Sequence, residues 1–193
     1  CSVEILHFDK NKKDANIVLS NNDYTADYTG GCNKLKWVNA NKSFTGGKHY
    51  WEFVIDLTPG CYDSVGVVTE NHKVGTRIGE DAHSWAIRLY PSSTDMSFTG
   101  AHHKNKGTKF ENKWKSQDKL GVFLDLVNGQ VSYFKNGKYI GTPFKNLKTN
   151  KGTKFTPSIS LCHGKSTSKM TFLKRVTLPH DILSGAKFKD IKY

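Results

Sequence analysis

The sequence predicts an all-β protein: an antiparallel β-sandwich of two sheets. Three observations lead there. About a dozen short segments alternate apolar and polar residues with the period of two that a half-buried strand requires. Two Asn-Gly pairs, at 128–129 and 136–137, interrupt such segments where a hairpin would turn. Helical spacing is almost absent, with a weak apolar stripe only in His180 to Tyr193 (Ile182, Leu183, Phe188, Ile191).

Along the chain, Cys1 to Phe8 carries Val3, Ile5 and Leu6 as a first strand, and Asn16 to Ser20 a short second one between Asn-rich turns. Residues 29–47 read as a hairpin or long loop with a strand-like Leu35 to Val38. Trp51, Phe53, Ile55 and Leu57 set an apolar stripe on the next strand, which Thr58-Pro59-Gly60 ends. Ser64 to Thr69 is a short apolar strand, and Asn71 to His83 a polar, Gly-containing loop. In Ser84 to Tyr90, Trp85, Ile87 and Leu89 alternate with Ala86, Arg88 and Tyr90; Pro91 to Gly107 then reads as loop.

Leu120 to Leu126 alternates again and should reverse at Asn128-Gly129 in a two-residue type I′ turn into Gln130 to Lys135. Asn136-Gly137 repeats the device before Lys138 to Phe144, giving a β-meander. Phe155 to Leu161 and Lys169 to Leu173 close the sheets.

The stretch LGVFLDLVNGQVSYFKNGKYIGTPF, Leu120 to Phe144, resembles the central motif of the SPRY domain. Three other pieces fit in the family's order: Phe44 to Leu57 (FTGGKHYWEFVIDL), Asp63 to Val68, and Ser84 to Leu89. Upstream, Leu6 to Tyr28 resembles the PRY segment that precedes SPRY in tripartite-motif ubiquitin ligases and butyrophilins, although Phe8-Asp9-Lys10 stands for the usual Leu-Asp-Pro opening. The resemblance implies one domain over residues 1–193: a PRY-like segment at 1–43, a SPRY core at 44–175 and a C-terminal extension at 176–193.

Composition supports a folded domain with a sizeable core, since 193 residues fit one unit. Apolar runs reach only four or five residues, far short of the ~20 that span a bilayer, so no membrane insertion is expected. The N-terminus lacks the apolar stretch of a secretory signal, and a start at Cys1 reads as an excised fragment. The four cysteines (Cys1, Cys32, Cys61, Cys162) are widely spaced, so free thiols and a cytoplasmic location are expected. The net charge of +12 comes from 26 lysines and only three arginines (Arg77, Arg88, Arg175). Lysine is a hydrated point charge without the planar fork of arginine, so a solvated surface is favoured over a phosphate-binding face.

Catalysis has no carrier in this pattern. His102-His103 point opposite ways on an extended chain, and Glu52 and Asp56 stand about 13 Å apart on one strand face. His72 and His83, with Glu80 and Asp81 between, are a metal candidate only if their loop gathers them. No enzyme activity, cofactor or metal is expected. Trp51, Trp85, Phe53 and Phe123 read as core.

The reading is a non-catalytic module that binds a protein or short linear peptide through loops at one end of the sandwich. By resemblance it serves as a substrate receptor of a ubiquitin ligase or as a scaffold, and the isolated domain should be monomeric. Candidate loops are 58–64, 69–83, 90–107 and 162–168. By alternation Arg88 and Tyr90 face outward, and Tyr62, Asp63, His163 and Lys165 should share their rim as partner-binding residues. The alternatives are RNA or anionic-surface binding through the lysines, and lectin-like carbohydrate binding.

Overall fold

The computed structural model describes residues 1–28, 36–57, 63–89, 100–110, 113–148, 150, 152–162 and 168–184. Its strands in chain order are β1 (Ser2–Val3), β2 (Phe8–Lys13), β3 (Ile17–Ser20), β4 (Thr25–Tyr28), β5 (Lys36–Ala40), β6 (Lys48–Asp56), β7 (Asp63–Thr69) and β8 (Ser84–Leu89). There follow β9 (Gly100–His103), β10 (Lys106–Thr108), β11 (Lys119–Asp125), β12 (Gln130–Lys135), β13 (Lys138–Phe144), β14 (Phe155–Leu161), β15 (Lys169–Phe172) and one helical turn, α1 (His180–Leu183).

Two sheets form. The first runs β13-β12-β11-β6-β15-β4-β3 and the second β10-β9-β8-β7-β14-β5-β2, with antiparallel neighbours throughout. The two-residue β1 is the exception among the described strands: it lies parallel to β6 beside His49 and Tyr50, where the short β15 no longer reaches. The sandwich expected from the sequence is therefore the fold. Its first 40 residues are shared out, with β2 and β5 in the second sheet and β3 and β4 in the first.

Alternation drives the packing. Trp51, Phe53 and Ile55 from β6 and Leu120, Val122 and Leu124 from β11 meet Val65 and Val67 from β7 and Ile159 from β14 in one core. Tyr133 crosses it to donate its hydroxyl hydrogen to the Val65 carbonyl at 3.1 Å, fastening one sheet to the other. Outside the first sheet, Tyr50, Phe123 and Phe134 form a second cluster covered by Val176, Leu178 and Ile182. Gly121 is required there, because a Cβ would come within 2.2 Å of the Tyr50 hydroxyl.

One of the two expected Asn-Gly turns holds, and other local readings change. Asn136-Gly137 is a two-residue turn with positive φ at both residues (50° and 78°), closing the Lys135–Lys138 pair. Asn128-Gly129 is not: Asp125 pairs with Gln130, so four residues make the loop, and of these only Gly129 has positive φ. Asp125 decides this, because its carboxylate accepts hydrogen bonds from the Val127 and Asn128 amides and from the Asn128 side chain, pulling the reversal one pair earlier. The polar segments Phe8–Lys13, Thr25–Tyr28 and Gly100–His103 are strands despite weak patterns, since partners on both sides or at an edge supply their pairing. Pro157 lies inside the sheet. Phe155 directs its amide and carbonyl at Phe44, and residues two apart point the same way, so the missing amide of Pro157 falls in the gap before β5 pairing begins at Ser158.

All four edge strands are short or irregular. β10 is three residues and fully exposed, and β3 is four residues. The β13 ladder shifts register twice and contains Pro143. β2 carries Lys10, Lys12 and Lys13 beside a register break, and the Lys13 ammonium donates to the Ile17 carbonyl at 2.7 Å.

Candidate functional site at the ends of the second sheet

Strand direction gathers the connections. At one end of the second sheet lie the start of β5, the start of β7, the end of β8, the start of β9 and the end of β14. Residues 29–35, 58–62 and 163–167 link strands of opposite sheets from this end, and 90–99 links β8 to β9. Three of the four candidate loops, 58–64, 90–107 and 162–168, thus have their roots together. Tyr62, Tyr90, His163 and Lys165 lie outside the described residues.

Asp63 and Arg88 are described, and neither is an exposed rim residue. Asp63 heads β7 on the face that carries Val65 and Val67, is 1% exposed, and accepts a hydrogen bond from the Cys162 amide at 2.8 Å. Burial outweighs that bond and pushes its carboxyl up to about 7. Its place is underneath the loop roots, tying the end of β14 to the start of β7.

Arg88 does face away from the main core, as alternation requires, but that face is covered. The 70–83 connection folds back over it: Ile78 packs on Val68 and Ala86, and Gly79, at φ +94°, lies so close to His102 that a Cβ would come within 2.9 Å of its backbone oxygen. The Arg88 side chain is only 9% exposed and its Nη2 sits 3.6 Å from Glu80 Oε1; Arg77 Nη1 reaches the same oxygen at 3.6 Å. Sequence reasoning missed Glu80 as the focus of two of the three arginines. The Arg77–Glu80 spacing was a weak signal; the fold-back that brings Arg88 in had none.

Asp81 holds this cover in place. Its carboxylate accepts from His72 Nδ1 (2.7 Å), the Lys73 amide (3.0 Å), the His83 amide (3.1 Å) and the Ser84 hydroxyl (2.5 Å). Burial alone would raise Asp81, but the Ser84 and Lys73 hydrogen bonds and the nearby His72 prevail and hold it below the usual carboxylate range. The Ser84 hydroxyl bonds the carboxylate rather than His72, so the imidazole is not positioned as its base. His83 does not join His72 at a common point, and among the described residues no three His, Cys, Asp or Glu side chains gather as metal ligands.

The opposite end of the same sheet holds a cavity of about 500 Å³, lined by residues including Thr69, His83, Trp85, His103 and Lys148. Trp85 is half-buried, packs against the core edge and stacks on His103 with ring centroids 4.7 Å apart and planes 9° apart. Trp51, by contrast, is wholly inside.

Residues 48–175 match the SPRY domain family. The chain belongs to it. Among curated relatives, the SPRY domain is 28% identical over 144 residues to SPRY domain-containing SOCS box protein 3 of Xenopus laevis, covering 69% of this chain and 36% of the relative. SPRY domain-containing SOCS box protein 2 of Homo sapiens is 27% identical over 158 residues, covering 76% of this chain and 57% of that protein. The chain therefore spans between about a third and three fifths of the length of these relatives. Among solved structures, the fold matches the TRIM65 PSpry domain with TM-score 0.71 at 19% identity, covering 90% of this chain and 94% of that one. It matches the SPRY domain of human HERC1 with TM-score 0.68 at 17% identity, covering 88% and 99%. No described helix of this SPRY domain is long and apolar enough to cross a membrane.

Proposed function

We propose that this SPRY domain is a protein-interaction module that binds a protein or short linear peptide at the end where 29–35, 58–62, 90–99 and 163–167 are rooted. The observation that carries this reading is the convergence of those four connections on adjacent strand ends above a fully packed core. Loops on such a scaffold vary in sequence without cost to the fold, which suits recognition. Tyr62, Tyr90, His163 and Lys165 form the contact set, with Asp63 as the buried tie beneath them and Arg88 as a flanking group held by Glu80. The SOCS box in the names of its relatives supports a role as substrate receptor in a ubiquitin ligase, and the cytoplasm is the compartment that suits such a role. Engagement of Arg77 and Arg88 with Glu80 leaves phosphate recognition largely to lysines, which favours a protein ligand over RNA.

The experiment is affinity purification on the isolated domain, followed by measured affinities for the recovered partner. Tyr62→Ala and Tyr90→Ala should each weaken binding by more than about 1 kcal/mol, roughly fivefold, with Lys138→Ala as a neutral control. Affinity unchanged in both tyrosine variants would move the site off this end.

A further inference from the structure

The cavity at the far end of the second sheet is independent of the loop roots, and its composition is selective. Its floor is the Trp85–His103 stack, with Phe155 behind Trp85 at 5.8 Å. Trp85 pairs with Val67 on β7 and stacks on His103 on its other side, so the apolar layer gives way to an imidazole at this edge. Around this floor stand Lys104, Lys145 and Lys148, and no described lining residue is Asp or Glu. Of the carboxylates adjoining it in sequence, Glu70 reaches across to accept from the Lys154 amide at 3.0 Å, and Asp81 is committed to its four donors. Neither Lys104 nor Lys148 forms an ion pair among the described residues.

We propose that this cavity is a second binding site, for an acidic linear peptide whose carboxylates lie on Lys104 and Lys148 and whose backbone and side-chain methylenes fill the space over Trp85 and His103. The volume falls within the ~300–1,000 Å³ of ordinary ligand pockets. His103 Nδ1 donates to the Ser84 carbonyl at 2.8 Å, so its Nε2 is left as an acceptor for a peptide amide. Burial holds the imidazole below its ordinary value, which keeps that acceptor in place at neutral pH. Asn71, Asn146 and Asn150 add both donors and acceptors, and Thr69 and Thr153 hydroxyls. Such a mixture matches a peptide backbone. The bidentate grip on phosphate that the planar fork of arginine gives is missing, since the described lining contains no arginine.

The test is isothermal titration with an N-acetylated hexaglutamate peptide and, separately, inorganic pyrophosphate. Two variants of equal charge change are compared: Lys104→Glu with Lys148→Glu in the cavity, and Lys12→Glu with Lys138→Glu on remote strands. All four positions are exposed, so folding is preserved. Hexaglutamate should bind the parent and the remote variant alike and the cavity variant at least about tenfold more weakly. Equal loss in both variants would trace binding to net charge and overturn the site. Absence of hexaglutamate binding, or pyrophosphate binding more tightly with the same dependence on Lys104 and Lys148, would overturn the peptide assignment.

Discussion

Replacing Asp63 by asparagine should stabilise the protein, and by more at alkaline than at acid pH. In the folded state the carboxyl titrates near 7, against 3.8 for an unhindered aspartate. Below pH 3.8 both folded and unfolded chains carry it protonated, and burial of the charge costs nothing. As pH rises the unfolded chain ionises first, so stability falls; it levels off once pH exceeds about 7 and the folded state ionises too. The full shift corresponds to about 4 kcal/mol, of which about 2 to 3 kcal/mol is lost between about pH 5 and pH 8. The substituted side-chain amide would keep an oxygen for the Cys162 amide and would not titrate. Urea unfolding of parent and Asp63→Asn at those two pH values isolates the effect, because every other titrating group is common to both. The variant should gain stability over the parent, and the gain should be about 2 to 3 kcal/mol larger at the higher pH. A pH-independent difference, or a variant less stable at pH 8, would refute the assignment of Asp63 as a buried group that ionises at a cost.

Two further outcomes follow from packing. Gly66→Ala should lower stability by at least about 3 kcal/mol or prevent folding, because a Cβ there would stand 1.8 Å from the Trp85 carbonyl oxygen and force β7 from β8; an unchanged melting temperature would show that the strands part freely. Trp51→Ala should cost about 3–5 kcal/mol in chemical denaturation and Trp85→Ala clearly less, since one ring is wholly buried and the other half-buried at the cavity; the reverse order would contradict that placement.

What the sequence made legible was alternation, and alternation speaks about faces rather than about what covers them. It placed Trp51 inside and Arg88 outside the main core, both correctly. It could not say that Ile78 and Gly79 fold back over Arg88, because a loop of polar residues carries no period; the fold-back depends on hydrogen bonds to Asp81 from positions up to nine residues away. The cavity was hidden for a related reason. Gly100–His103 lies in a stretch without apolar alternation, so its strand, and with it the partner of Trp85, was invisible. Asn-Gly turns were overread at one of two sites, where the Asp125 side chain competes for the same amides.

The irregular edges have a consequence for how this domain meets other chains at all. A peptide that docks by extending a sheet needs a straight row of free amides and carbonyls. β10 offers three residues and β3 four, β13 is bent by two register shifts and a proline, and the β2 side presents lysines across a broken ladder. Each edge resists zipping onto a neighbour, including a second copy of the same chain in a concentrated solution. A ligand of the proposed loop-end site would therefore be held through its side chains rather than by sheet extension, which would sharpen discrimination between related sequences.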